Sequence, residues 1–430
     1  MIYIPFIFFS ILTVYLWNKH KGMDVCVYMS GLYAFTALLC IVVVLGELVG
    51  DGGVMFDEFI MEISPVPTVL YCLFITIGIM PFSLLYKKDL KKIINKNPTI
   101  TMALSIFLIC IAFLNLYLVA GSTMEILSGD LRSVRLEHGR GLESPADIKA
   151  QSLPYIIGFL NYFKISTLLA LPLFFYYICF EKKPWWFLSL LLFASLSLPI
   201  YGIQSVDRTE IVFYGMMFIS CLILFHQYLS KKIKRILNLS LIPFALASVV
   251  YLGAVTEARF GDRESGSSGG LVQYGGQNFL NFCFFWEMGD FNYITTEREF
   301  PLYNHFVLHK DNNADRREER SGQQGFFMSV FASYIGDVML DLSPIGMVIW
   351  CLCFFVISLL VFKRPHREEL TLGEYLFFFY LSAIPIFGIF YYRYMSFHYT
   401  FMLIVVLFVY ITDKYKIIYS RPEEESATDL

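Results

Sequence analysis

Residues 98–120, PTITMALSIFLICIAFLNLYLVA, contain no charged side chain. As an α-helix this segment would be about 34 Å long, enough to cross the roughly 30 Å hydrocarbon core of a bilayer. Lipid offers no hydrogen-bonding partner to an exposed backbone, so a spanning segment must satisfy its own amide groups as a helix. The run therefore predicts a transmembrane helix, and the rest of the chain repeats the pattern.

The composition of the whole chain is also typical of a membrane protein. Hydrophobic residues make up 57% of the 430 residues and charged residues make up 16%. A typical soluble protein is about 45–50% apolar and about 25% charged. These values exclude a soluble globular enzyme, a disordered protein and a secreted disulfide scaffold. Because eight of the nine cysteines lie in or beside apolar runs, no disulfide is expected.

Eleven segments are apolar and long enough to be spans. We therefore predict an all-α polytopic membrane protein in which residues 1–430 form a single integral membrane domain. The predicted spans are roughly residues 2–17, 25–48, 65–86, 98–120, 153–180, 185–203, 209–229, 236–255, 343–362, 371–390 and 396–412.

Basic residues in alternate loops predict the orientation, because short loops rich in Lys and Arg stay in the cytoplasm. With eleven spans the N-terminus lies outside, and the tail at 413–430 is cytoplasmic. The outer side then carries one loop at 121–152 and a larger one at 256–342, for which interfacial helices are expected. The cytoplasmic loops hold 19 basic residues, at positions 19, 21, 87, 88, 91, 92, 96, 182, 183, 231, 232, 234, 235, 363, 364, 367, 414, 416 and 421.

Lysine and arginine are divided unequally between the two predicted sides of the membrane. Most inner cations are Lys, whereas eleven of the fifteen arginines lie on the predicted outer side, where topology gives them no role. Arg binds phosphate and carboxylate through two parallel hydrogen bonds. An outer face rich in Arg predicts a site for an anionic lipid-linked phosphate or pyrophosphate. Arg208 and Arg259 are the first candidates because each lies at the outer end of a helix; pairing with Asp207, Glu210 or Glu257 is the alternative.

Other polar residues have two interpretations each. Residues 273–287 mix amides with aromatic rings, which suits carbohydrate through Tyr274 and Asn278 but is also typical of a helix lying flat on the membrane. Lys164, inside an apolar run, either has a functional role or is bonded to backbone or hydroxyl groups. Asp337 and Asp341 share a helix face and could hold a cation, or could mark a helix end near Pro344.

The chain contains no HExxH motif, no paired CxxC, no glycine-rich phosphate loop and no DxD motif. If the protein is an enzyme, these absences favour an already activated substrate and a reaction without metal or other cofactor.

Four stretches resemble the Wzy-type O-antigen and oligosaccharide repeat-unit polymerases of bacterial envelopes, as do the span number and the large late outer loop. They are SVDRTE at 205–210, TEARF at 256–260 with the Gly/Ser-rich loop after it, QYGGQNFLNF at 273–282 with FPL at 300–302, and YIGD at 334–337 leading to SPIG at 343–346.

The resemblance implies a GT-C-like fold and a metal-independent glycosyltransferase of the bacterial cytoplasmic membrane. The donor would be a glycan on undecaprenyl pyrophosphate, and the acceptor a repeat unit on the same lipid. Other implied partners are membrane lipid, a chain-length regulator and a flippase, with no nucleic acid.

Arginines would stabilise the charge on the leaving pyrophosphate. The catalytic candidates are Arg208, Arg259 and His305; the substrate-binding candidates are Arg135, Arg263, Arg298, Arg393, Tyr274, Asn278, Glu287 and Asp290.

Within this set His305, Glu287 and Asp290 are the alternatives for the base that takes the proton of the acceptor hydroxyl. Three other functions stay open. A ligase of O-antigen type would use the same donor with a different acceptor. A flippase or transporter of lipid-linked oligosaccharide would need polar groups along a path through the bilayer, and ionisable residues within the predicted spans are nearly absent. The third is a non-catalytic envelope protein.

Overall fold

A computed structural model describes residues 1–46, 63–85, 90–128, 149, 152–204, 208–260, 266–289, 291, 300–307, 331–362 and 368–414. Within these ranges only the backbone is described at 121–128, 204, 238, 240–242, 244–245, 258–260, 266–271 and 304–306.

The described part of the chain is mostly helical, as its apolar runs predict. Short 3₁₀ segments at Met80–Leu84, Lys164–Leu169 and Arg393–Met395 and a π turn at Tyr177–Glu181 adjoin the helices. The α-helices are α1 Tyr3–His20, α2 Val25–Leu45, α3 Pro65–Ile79, α4 Pro98–Ser128, α5 Tyr155–Asn161, α6 Ala170–Tyr176, α7 Trp185–Gln204, α8 Thr209–Phe225, α9 Lys231–Phe260, α10 Gly266–Met288, α11 Pro301–Phe306, α12 Ser333–Phe362, α13 Leu372–Phe387 and α14 Phe397–Lys414.

Among the described residues, seven helical segments are long and apolar enough to cross a membrane. This confirms a helical, membrane-embedded protein, while the number eleven stays a prediction. Three shorter apolar helices, Thr209–Phe225, Leu246–Glu257 and Leu372–Phe387, fall on other predicted spans, and α1 falls on the first. The seven are Val25–Leu45, Pro65–Leu84, Pro98–Ala120, Lys164–Glu181, Trp185–Ile203, Ser333–Phe362 and Phe397–Lys414.

The predicted span at 153–180 is divided rather than continuous. α5 ends at Asn161, and a 3₁₀ segment then begins at Lys164. The Thr167 hydroxyl donates to the Lys164 carbonyl at 2.7 Å, and the Asn115 side chain donates to the same oxygen at 3.4 Å. Side-chain bonds of this kind compete with the regular helical ladder. The Lys164 ammonium donates to the Tyr201 hydroxyl at 2.8 Å. This contact matches the second interpretation of Lys164, in which the residue is bonded to a hydroxyl group.

α12 begins ten residues before the predicted span at 343–362 and is interrupted inside. Ser343 has a φ of 71°, directly before Pro344, so the helix breaks where the proline predicts an end. The Asp337 carboxylate accepts from the Tyr392 backbone amide at 2.7 Å. Asp337 therefore anchors the segment that connects α13 to α14.

Described residues in or beside four of the predicted basic loops meet at one end of the bundle, which we call the lysine end. The parallel strands β1 Lys92–Ile94 and β2 Glu369–Thr371 pair there. Asn95 donates to Glu181 at 3.0 Å, and the Gln227 side chain donates to the Leu90 carbonyl at 3.1 Å. The opposite end, where α8 begins and α13 ends, is called the arginine end because Arg208 and Arg393 lie there.

α10 packs along α2 within the bundle. A Cβ atom on Gly276 would lie 2.6 Å from the Leu39 carbonyl, so only glycine permits this approach. Residues 278–285 of α10 are buried one after another, including Cys283, which the sequence places in a long loop. Burial on all sides shows that this part of α10 packs between other helices.

Candidate functional site

A partly open cavity of about 310 Å³ lies at the arginine end. Its walls are mostly aromatic and aliphatic, and Arg208 is the one charged side chain among the described residues that line it. The lining residues come from α2, α8, α9, α10, α13 and three connecting segments; they are Phe35, Leu39, Arg208, Thr209, Val212, Leu252, Val272, Tyr274, Gly275, Phe331, Phe387, Phe390 and Tyr391.

Arg208 immediately precedes α8 and is 8% exposed. Its Nη1 donates to the Thr256 hydroxyl of α9 at 2.7 Å, and its guanidinium lies 5.0 Å from the centre of the Tyr274 ring of α10. The N-terminal end of a helix carries a partial positive charge, which disfavours a cation and favours an anion. The guanidinium and the start of α8 therefore add positive potential at one wall of an apolar cavity.

Three aromatic rings form a continuous part of the cavity wall. Tyr274 meets Phe331 edge to face at 4.4 Å between ring centres, and Phe331 stacks on Tyr391 at 5.5 Å with 19° between planes. The side chain of Asn281 donates to the Phe331 carbonyl at 2.6 Å. These contacts join α10, the segment before α12 and the segment after α13 into one surface, which we call the aromatic wall.

Arg393 lies directly behind this wall. It is 7% exposed, its Nη2 donates to the Glu210 carboxylate, and its Nη1 donates to the Tyr391 hydroxyl at 2.7 Å. Burial alone lowers the pKa of Arg393, but the negative charge of Glu210 raises it, and the net pKa lies well above the ordinary value. The guanidinium therefore stays charged. Glu210, considered as a partner for Arg208, is ion-paired with Arg393.

The segment that carries Arg393 is fixed against the start of α12. Ser333 donates its amide to the Phe390 carbonyl at 3.0 Å, and Tyr334 donates to the Gly388 carbonyl at 2.9 Å. A Cβ atom on Gly388 would lie 2.5 Å from the Tyr334 ring. Together with the bond from Tyr392 to Asp337, these contacts hold both sides of the turn.

The predicted site residues are distributed unevenly over the structure. Arg208 and Tyr274 line the cavity, and the last turn of α9 places the backbone of Arg259 one turn beyond Thr256. The side chains of Arg259 and His305 lie outside the described residues, although His305 belongs to the short helix α11. Four further candidates lie wholly outside the described residues: Arg135, Arg263, Arg298 and Asp290.

Two candidates on α10 are not among the described residues that line the cavity. Asn278 is buried and donates to the Gly275 carbonyl of its own helix at 3.1 Å. Glu287 is exposed and lies thirteen residues beyond Tyr274, about 20 Å along the helix. Their predicted roles, like those of the residues outside the described ranges, stay predictions.

The site also includes residues that the sequence did not single out. Thr256 lies within a quoted stretch, but its bond to Arg208 spans 48 positions. Tyr391 and Phe331 look like ordinary interfacial aromatics in sequence. The sequence feature that could have indicated Tyr391 is the cluster YYRYM at 391–395, where an arginine lies among tyrosines on the predicted outer side.

The arrangement can bind a ligand that is anionic at one end and apolar next to it. The cavity volume lies at the lower end of the range for small-molecule sites. Across the described residues, no group of three or more His, Cys, Asp or Glu side chains is placed to hold a metal ion.

Comparison of the chain with protein-family models, with curated proteins and with solved structures gives no match.

Proposed function

We propose that the protein is a metal-independent glycosyltransferase that polymerises undecaprenyl-pyrophosphate-linked oligosaccharide repeat units at the outer face of the bacterial cytoplasmic membrane. The observation that carries the proposal is the position of Arg208. It is the charged residue among the described residues that line the cavity, in a wall that is otherwise mostly aromatic and aliphatic, and it lies at the positive end of α8. A phosphate joined to an isoprenoid chain combines the two properties that this wall can recognise.

In the proposed reaction, a sugar hydroxyl of the acceptor attacks the anomeric carbon of the donor glycan. The bond between that carbon and the pyrophosphate oxygen breaks, and the hydroxyl proton passes to a base. Negative charge grows on the leaving lipid pyrophosphate, and a fixed guanidinium lowers the energy of that charge without reorganising. Arg208 is already fixed by Thr256 and Tyr274.

Arg259 is proposed to assist Arg208, since both lie at the same end of the bundle and the backbone of Arg259 follows Thr256 by three positions on α9. His305, Glu287 and Asp290 remain the candidates for the base. Polyprenyl carriers, a chain-length regulator and a flippase would be the partners of such an enzyme, as the resemblance to the Wzy-type polymerases implies.

Deletion of the gene followed by analysis of surface glycan tests the proposal. A polymerase predicts that glycan shrinks to a single repeat unit and that the wild-type gene restores the long chains. Long lipid-linked chains that never reach their final acceptor would instead indicate a ligase. Repeat units retained on the cytoplasmic side would indicate a flippase.

A further inference from the structure

Arg393 is, besides Arg208, the predicted site arginine whose side chain the structure describes. It is an arginine at the arginine end, close to the cavity, yet it is not among the described residues that line the cavity. The rings in front of it do line the cavity, among them Phe387 and Tyr391. The charge of Arg393 is therefore separated from a ligand in the cavity by the aromatic wall and its neighbours.

The guanidinium is fixed by charge and by aromatic faces. It pairs with Glu210, and moving it toward the cavity would leave two opposite charges uncompensated in a buried site. Cation–π contacts further restrict its position. The guanidinium carbon lies 5.3 Å from the Tyr399 ring centre, 5.4 Å from Phe213, 5.5 Å from Phe387 and 5.9 Å from Tyr391.

The contact that Arg393 makes with the wall is directional. Its Nη1 donates to the Tyr391 hydroxyl at 2.7 Å, which sets where the ring of Tyr391 points. That ring stacks on Phe331, Phe331 meets the edge of Tyr274, and Tyr274 lies under Arg208. The orientation of Tyr391 is thus linked, through two ring contacts and one cation–π contact, to Arg208 in the cavity wall.

We propose that Arg393, held by Glu210, is a positioning residue that sets the shape of the aromatic wall through Tyr391 without contacting the ligand. The inference rests on the proposed function, because it takes the cavity to be the site for an isoprenoid phosphate. It separates two tasks: Arg208 recognises the anion, whereas Arg393 maintains the surface against which the apolar part of the ligand packs.

Two soluble probes distinguish these tasks. Farnesyl phosphate carries both the isoprenoid and the anion, and farnesol carries the isoprenoid alone. Their affinities for the purified full-length protein in detergent give two numbers, the strength of isoprenoid binding and the preference for phosphate. A residue that contacts the anion changes the preference. A residue that shapes the wall changes both affinities by the same factor.

Three variants are compared with the wild-type protein. Tyr391→Phe keeps the ring and removes the bond to Arg393. The double variant Glu210→Gln with Arg393→Met removes both members of the ion pair together, so that no uncompensated charge remains. Arg208→Gln removes the proposed anion contact. Thermal unfolding of each variant establishes that it is folded, and Tyr391→Phe tests the proposal even if the double variant does not fold.

We expect Tyr391→Phe and the double variant to weaken both probes by a similar factor, about threefold to tenfold, as for loss of one buried hydrogen bond. Their preference for phosphate should equal that of the wild type, whereas Arg208→Gln should lose most of it. Loss of phosphate preference in the double variant would overturn the proposal, because Arg393 would then contact the anion. Unchanged affinities in Tyr391→Phe would also overturn it. A wild-type protein that binds neither probe would refute the site of the proposed function and this proposal with it.

Discussion

Glu210 pairs with Arg393 across 183 residues of sequence, in a site where the two residues are only 9% and 7% exposed. The pair connects the first turn of α8 to the segment before α14. Arg208 lies two residues before Glu210. The same short segment therefore carries Arg208, which lines the cavity, and Glu210, which pairs with Arg393 behind the aromatic wall. Arg208 and Arg393 are thus connected through one short segment.

Glu210→Gln should destabilise the protein strongly. The substitution leaves the Arg393 charge buried without its carboxylate, a change that typically costs about 3–5 kcal/mol. Thermal unfolding in detergent measures the effect. Glu257→Gln is the matched control, since Glu257 is an exposed glutamate near the same end of the bundle. If both variants unfold at the wild-type temperature, the buried pair does not contribute as the structure indicates.

Tyr274→Leu should slow polymerisation while Tyr274→Phe retains most of it. The ring of Tyr274 supports the Arg208 guanidinium, and a cation–π contact is worth about 0.5–2 kcal/mol, or roughly a twofold to thirtyfold change in rate. The rate at which membranes containing each variant extend a labelled lipid-linked repeat unit provides the measurement. Equal losses in the two variants would show that the hydroxyl, and not the ring face, is what matters.

Lys164→Met should leave glycan chain length unchanged and lower stability. The Lys164 ammonium donates to Tyr201 and lies 4.3 Å from the centre of its ring, which accounts for this buried charge without a substrate. Loss of a hydrogen bond to a charged group costs about 1.5–3 kcal/mol. Glycan gels and thermal unfolding measure the two effects. Disappearance of long chains from a stable Lys164→Met protein would place Lys164 in the functional site.

The lysine end should face the cytoplasm. Lys182, at this end, and Ser152, beyond α4, are both exposed. The Ser152 hydroxyl donates to the Lys149 carbonyl, and the Lys149 ammonium donates to the Tyr117 carbonyl of α4. An impermeant maleimide added to intact cells with a permeable outer membrane should label Ser152→Cys and leave Lys182→Cys unlabelled. Labelling after lysis is the control for reactivity. The reverse pattern would invert the predicted orientation and place the cavity at the cytoplasmic side.

The helical, membrane-embedded character follows from the sequence because lipid admits few alternatives to a helix in a long apolar run. The position of Arg208 at the end of the bundle opposite the lysine end also follows, since Arg208 lies outside the basic loops that the sequence assigns to the cytoplasm. The break near Lys164 does not follow, because it involves Asn115 on another helix. The pairs Arg208 with Thr256 and Glu210 with Arg393 join distant segments, and a single sequence contains no information about such contacts.

Recognition of the lipid-linked anion by Arg208 is tested by comparing two complemented strains. A strain lacking the gene is complemented with Arg208→Gln or with Arg235→Gln, which makes the same change at an exposed arginine of the lysine end. Equal amounts of both proteins in the membrane establish that each is made and inserted. We predict a single repeat unit and no ladder of longer glycan with Arg208→Gln, and a full ladder with Arg235→Gln. A full ladder with Arg208→Gln would show that Arg208 does not recognise the anion.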